Sequence, residues 1–85
     1  MQPKIDFTTF LLSISSAAFM ALGEIPTPQG EKTEMDLDLA MQNIDLLELM
    51  LEKTKGNRTV DEEKLLEQLL FETRMRFVDV SKKKT

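Results

Sequence analysis

The sequence contains no cysteine, no histidine, no tryptophan and no tyrosine. Because thiolate and imidazole are the usual protein ligands of structural zinc, haem iron and iron–sulfur clusters, these absences exclude the common forms of those sites. They also exclude catalytic triads and dyads that depend on histidine or cysteine. No disulfide can form within the chain, which suits a reducing compartment, and we therefore expect a cytoplasmic location.

Basic residues are also fewer than acidic residues. The 85 residues include 11 lysines and arginines against 15 aspartates and glutamates, which gives a net charge of -4. Proteins that bind nucleic acids broadly draw on a surplus of basic residues, so nucleic acid is not an expected partner.

The length suffices for one small domain or for one subunit of an oligomer.

A run without charged residues extends from Phe7 to Leu22. It is shorter than the roughly 20 apolar residues that cross a bilayer, and Gly23 and two prolines follow it. A secretory signal would need a basic segment ahead of the run, where Lys4 is the only base. We therefore expect a buried helix here, and neither a membrane span nor a signal peptide.

Helix 1 is predicted over residues 6–23, with Gly23 as the residue that ends it. Apolar residues cover most of its circumference, which is typical of a helix buried on more than one side. Residues 24–35 contain two prolines and one glycine and form a predicted linker with a turn at 29–30. We expect the large apolar side chains of helix 1 to lie in the core or in a subunit interface; the candidates are Phe7, Phe10, Leu11, Ile14 and Phe19.

Two further helices are predicted over residues 36–55 and 59–80. Thr59 and Glu62 have the spacing of a capping box, which places the start of helix 3. The connection between the two helices is only about three residues long, so they are predicted to form an antiparallel hairpin. Residues 81–85 are polar and basic, and we expect them to form a disordered tail.

The predicted fold class is all-α, with three helices. Together these helices carry more apolar surface than an 85-residue chain hides on its own. Surplus apolar surface on an acidic protein usually becomes a subunit interface, so we expect helix 1 to be buried in a homo-oligomer, a dimer or larger. An unidentified protein is a further candidate partner.

Short sequence strings at fixed spacing run through nearly the whole chain. They are Phe7-x-x-Phe10, Ser16-Ala17, Leu22-Gly23, Pro26-x-Pro28-x-Gly30, Leu37-x-Leu39-Ala40, Ile44-Asp45-x-Leu47, Glu52-Lys53-Thr54-Lys55-Gly56-Asn57, Glu62-Glu63-Lys64-Leu65-Leu66, Leu69-Leu70 and Arg74-Met75-Arg76. In this order and at this spacing, the chain resembles the bacterial family catalogued as domain of unknown function 1844, from Phe7 to Val78.

The resemblance implies a small cytoplasmic bacterial protein and assigns no activity to it. Genes of some members of that family lie beside translation-factor genes, which indicates a process but no mechanism. The chain departs from the family pattern at Arg58, where an apolar residue is common, and at Thr73, where leucine is usual. Because Thr73 falls on the core stripe of helix 3, we expect looser packing there.

Two arginines flank the core stripe of helix 3. We predict that Arg74 is ordered and paired with a carboxylate, with Asp45 as the leading candidate, because such a pair fixes the register of two helices. Arg76 is expected beside the same seam. The alternative is an anion or RNA-phosphate site, since residues 74–85 carry five bases against one acid.

Three acidic residues, Asp45, Glu48 and Glu52, share one flank of helix 2. Metal sites in helical bundles normally add histidine ligands, which this chain lacks, so we expect a solvated acidic face. We predict no metal, no cofactor and no catalytic residue. Acid–base chemistry would depend on aspartate and glutamate alone.

The sequence therefore predicts a non-enzymatic protein-interaction module that forms a homo-oligomer. The alternative is a translation-associated accessory factor that contacts RNA or the ribosome through its basic C-terminal end.

Overall fold

A computed structural model describes residues 4–23 and 35–84, with side chains up to residue 82. Its elements are α1 (Phe7–Ala21), α2 (Leu37–Lys53) and α3 (Val60–Lys84). Within the described residues there are helices and turns but no strand, so the predicted all-α class is confirmed. Most of the predicted linker, including the turn at 29–30, lies outside the described residues.

Side-chain and backbone caps define both ends of α1. The Asp6 carboxylate accepts a hydrogen bond from the backbone N–H of Thr9 at 2.7 Å. This hydrogen bond lowers the pKa of Asp6 below its ordinary value, because it favours the ionised form. At the other end, Gly23 has a φ of 77°, a left-handed conformation that glycine adopts without steric cost. Asp6 and Gly23, which the sequence offers as the first and last residues of helix 1, therefore both take part in ending the helix.

The start of α2 is held against the end of α1. The Asp36 side chain accepts from the backbone N–H of Leu39 at 3.0 Å and caps α2. The backbone N–H of Asp36 donates to the carbonyl oxygen of Ala21 at 2.7 Å. This bond joins the last residue of α1 to the N-cap of α2, so the two helix ends are adjacent.

The connection from α2 to α3 follows the sequence signals closely. Gly56 has a φ of 85°, and this left-handed residue turns the chain after α2. Thr59 and Glu62 form a reciprocal capping box. The Thr59 hydroxyl accepts from the Glu62 N–H at 3.1 Å, and the Glu62 carboxylate accepts from the Thr59 N–H at 2.8 Å.

The predicted end of helix 3 at residue 80 and the disordered tail at 81–85 are wrong over residues 81–84. The helix continues to Lys84. Residues 78–84 contain neither glycine nor proline, lysine is a good helix former, and positive charge is favourable at a helix C-terminus. Val80 is also buried against α1 and α2, which fixes the last turns of α3.

The core lies between all three helices in two adjoining clusters. The main cluster contains Leu11, Ile14, Ala18, Ile44, Leu47, Leu66, Leu69 and Leu70. The second cluster contains Ala21, Leu22, Ala40 and Val80. Each fully buried leucine contributes on the order of 1.5–3 kcal/mol through removal of its side chain from water.

Thr73 is fully buried on the core side of α3. Its hydroxyl lies 2.7 Å from the carbonyl oxygen of Leu69 and 3.2 Å from that of Leu70, so its polar group is satisfied within its own helix. The looser packing expected at Thr73 stays a prediction.

Contacts between α2 and α3 pair the beginning of one helix with the end of the other. Ala40 shares a cluster with Val80, and Glu48 forms an ion pair with Arg74. The antiparallel hairpin itself stays a prediction. Over the described ranges, no helix is long and apolar enough to cross a membrane.

Candidate interaction surface

An open groove of about 370 Å³ runs along α3 beside α2, and we call it the α3 groove. Its lining is predominantly apolar, with one acidic and one basic residue. The lining residues are Leu51, Glu67, Leu70, Phe71, Arg74, Met75 and Val78.

Three apolar side chains of the α3 groove are exposed to solvent. Phe71 is 64% exposed, Met75 is 53% exposed and Val78 is 47% exposed. Their spacing of four and three residues places them on one face of α3. The core residues Leu66 and Leu69 face α1 and α2 instead. The helix is therefore apolar on two sides, of which the single chain buries one.

Arg74 pairs with Glu48 and not with Asp45, so the leading candidate predicted for this pair is wrong. The Arg74 guanidinium donates to Glu48 at 2.8 Å, and the two side chains are 52% and 53% exposed. Glu48 precedes the groove residue Leu51 by three residues, so it lies on the side of α2 that faces Arg74. Asp45 lies a further turn away and is exposed.

Arg76, the second predicted arginine, is exposed and lies outside the α3 groove. Asp45 lines a separate shallow hollow of about 220 Å³ on α2, together with Glu48, Leu49 and Glu52. Among the described residues, no group of three or more acidic side chains is arranged to hold a metal ion. The hollow is therefore an acidic surface, and one of its carboxylates already binds Arg74.

The apolar candidates of α1 separate into interior and surface positions. Leu11 and Ile14 are buried in the main cluster, and Phe7 packs against that cluster. Phe19 packs against the second cluster. Phe10, in contrast, is exposed. The chain thus covers one face of α1, and burial of its outer face in an oligomer stays a prediction.

Sequence reasoning missed the role of Arg58. Its guanidinium donates to the carbonyl oxygen of Leu51 at 2.6 Å, to the Thr54 hydroxyl at 3.2 Å and to the Glu63 carboxylate at 3.0 Å. Its side chain is only 9% exposed, and its buried Nε has no hydrogen-bond partner among the described residues. An arginine in a short loop between two helices was the available signal, because such a side chain reaches the free carbonyl groups that end the preceding helix.

Comparisons with known proteins identify the chain by family and leave its activity open. Neither curated proteins nor solved structures gave a significant match. A family described as "Domain of unknown function (DUF1844)" matches residues 4–79, which is nearly the whole chain and agrees with the resemblance seen in its sequence strings. On this match, the chain belongs to the DUF1844 family.

Proposed function

We propose that this chain is a non-enzymatic protein-interaction module that associates with a second copy of itself. The observation that carries the proposal is the α3 groove, in which Phe71, Met75 and Val78 are exposed side by side. Contiguous exposed apolar surface marks binding sites in proteins of this size. Aromatic residues, methionine and arginine are also enriched at protein interfaces, and the groove contains all three.

The remaining features of the chain support this reading. It has no cysteine or histidine that could act as a nucleophile or as a general base near neutral pH. The absence of cysteine also supports a location in the reducing cytoplasm. Two apolar side chains of α1, Phe10 and Leu12, are also exposed.

Sedimentation velocity over a concentration series tests the proposal. We expect the mean mass to rise from one chain to two as the concentration increases through the micromolar range. A mass of one chain at every concentration would remove self-association from the proposed function.

One observation favours a second candidate function, contact with RNA or the ribosome. Because α3 continues to Lys84, the basic residues near its end belong to a helix and not to a disordered tail. Against this function, Arg74 is already engaged by Glu48. Purification from lysate with and without nuclease separates the two functions, since an RNA-dependent complex dissociates on nuclease treatment and a self-associated complex does not.

A further inference from the structure

We propose that the α3 groove is closed by α3 of a second copy, packed antiparallel across a two-fold axis that passes close to Phe71. In this arrangement, Glu67 of each protomer lies beside Arg74 of its partner. This inference rests on the proposed self-association. It adds the surface through which the two copies bind, the direction in which their helices pack and the charge pairs that favour this direction.

The positions of the two charged groove residues carry the inference. Glu67 and Arg74 both line the α3 groove, and they are seven residues apart on α3. Seven residues are close to two helical turns, or about 10.5 Å along the axis, so both side chains lie on one stripe. Phe71 lies between them on the same stripe.

A two-fold axis makes each contact occur twice, with the two residues exchanged between the protomers. If residue 67 of one protomer contacts residue 74 of its partner, then residue 74 of the first contacts residue 67 of the second. The centre of such a contact falls between residues 70 and 71, which brings the two Phe71 side chains together. Phe71, the aromatic residue of the groove, is then buried at the middle of the interface, where binding energy concentrates.

Charge selects the antiparallel direction over the parallel one. A parallel pairing would place Glu67 beside Glu67 and Arg74 beside Arg74, which is unfavourable at both positions. The antiparallel pairing makes two attractive contacts from the same residues. These contacts also oppose the general repulsion between two chains that each carry a net charge of -4.

The existing ion pair of Arg74 leaves room for a second carboxylate. Glu48 binds one terminal nitrogen of the guanidinium, and the side chain of Arg74 remains 52% exposed. A guanidinium has five N–H donors, so it can donate to Glu67 of the partner protomer while it still donates to Glu48. Arg74 would then bridge two acidic residues from two chains.

The outer face of α1 is a weaker candidate for this contact. α1 also exposes apolar residues, Phe10 and Leu12, but these are two positions apart and lie about 200° apart around the helix, so they do not form one patch. In addition, α1 carries no charged residue from Phe7 to Ala21, so nothing on it specifies a partner or a direction. The α3 groove combines exposed apolar side chains with charges at complementary positions.

Charge reversal tests the inference. We expect Glu67→Arg and Arg74→Glu each to weaken dimer formation at least about tenfold, because each places like charges at both contacts. The double variant Glu67→Arg/Arg74→Glu restores opposite charges and should return to within about threefold of the wild-type dissociation constant. Glu72→Arg, at an exposed position outside the groove, is the matched control and should not weaken the dimer. Circular dichroism checks that every variant is folded.

Cysteine cross-linking gives an independent readout, because the chain has no cysteine of its own. Mild oxidation should link an equimolar mixture of Glu67→Cys and Arg74→Cys into a covalent dimer, because these positions meet across the interface and the mixed dimer keeps both Phe71 side chains and its second charge contact. Each cysteine variant alone should stay mostly unlinked. If the wild type dimerises but the single reversals do not weaken it, or the double variant does not recover, the antiparallel α3 contact is wrong while self-association stands. A wild type that stays monomeric refutes both.

Discussion

The guanidinium of Arg58 donates a hydrogen bond to the carbonyl oxygen of Leu51, seven residues earlier in the chain, at 2.6 Å. Leu51 lies in the last turn of α2 and lines the α3 groove. The same guanidinium binds Glu63 in the first turn of α3. Arg58 therefore ties the end of one helix to the start of the next, at the end of the groove.

Replacing Arg58 with alanine should lower the free energy of unfolding by about 1.5–3 kcal/mol, because hydrogen bonds from a charged and largely buried group are lost. Arg58→Lys should recover only part of this, since an ammonium group cannot reproduce the fork of bonds. Chemical denaturation of the three proteins measures the difference. If the free energy of unfolding of Arg58→Ala stays within about 0.5 kcal/mol of the wild-type value, the hydrogen bonds of Arg58 contribute little to stability.

The ion pair between Arg74 and Glu48 should contribute little to the stability of the single chain. Both side chains are about half exposed, so the coupling in a double-mutant cycle of Arg74→Ala and Glu48→Ala should be roughly 0–1 kcal/mol and fall with added salt. The measurement is thermal or chemical unfolding at a dilution where chains are separate. Asp45→Ala is the control, and its effect should add to that of Arg74→Ala. Coupling to Asp45 in place of Glu48 would contradict the pairing.

Core and groove residues should respond differently to truncation. Leu66 is fully buried, so Leu66→Ala should cost about 2–5 kcal/mol through lost burial and a cavity. Phe71→Ala removes a larger side chain but one that is mostly exposed, and at high dilution it should change stability by less than about 0.5 kcal/mol. Unfolding curves for the two variants provide the comparison. A large cost for Phe71→Ala at high dilution would show that Phe71 belongs to the core of the single chain.

Asp6 should make the stability of the chain depend on pH in the acidic range. Its pKa is lowered in the folded state by the hydrogen bond from Thr9, so its ionised form stabilises α1 above the unfolded pKa. That contribution is lost as the pH falls through the folded pKa. Asp6→Asn keeps an accepting oxygen but no charge, so the wild type should be more stable at pH 7 and the two should converge below about pH 4. A constant difference across this range, in unfolding curves at a series of pH values, would contradict the assignment.

Local signals in the sequence predicted the starts of α1 and α3, because an N-terminal cap depends on residues that are neighbours in the chain. Asp6 caps α1, and Thr59 and Glu62 form the capping box of α3. The partner of Arg74 could not be predicted in the same way. Asp45 and Glu48 are both acidic residues of α2, and only the register between α2 and α3 decides which one Arg74 reaches.

Two other features of the structure also depend on packing between helices. Phe10 belongs to the apolar pattern of α1 but is exposed, because two neighbouring helices cover one face of α1 and not its whole circumference. The continuation of α3 to Lys84 is favoured by the local composition of residues 78–84, and it also depends on the packing of Val80 against the other helices, which that composition does not show. Long-range packing contributes to both features.

The most direct test of the α3 groove as an interaction surface is the molar mass of the wild type and of Phe71→Ser, measured by light scattering on size-exclusion chromatography from low to high micromolar concentration. We predict that the wild type approaches twice the 9.8 kDa of one chain as concentration rises, while Phe71→Ser keeps the mass of one chain. Equal masses for the two proteins at every concentration would contradict the claim that the α3 groove is the interaction surface.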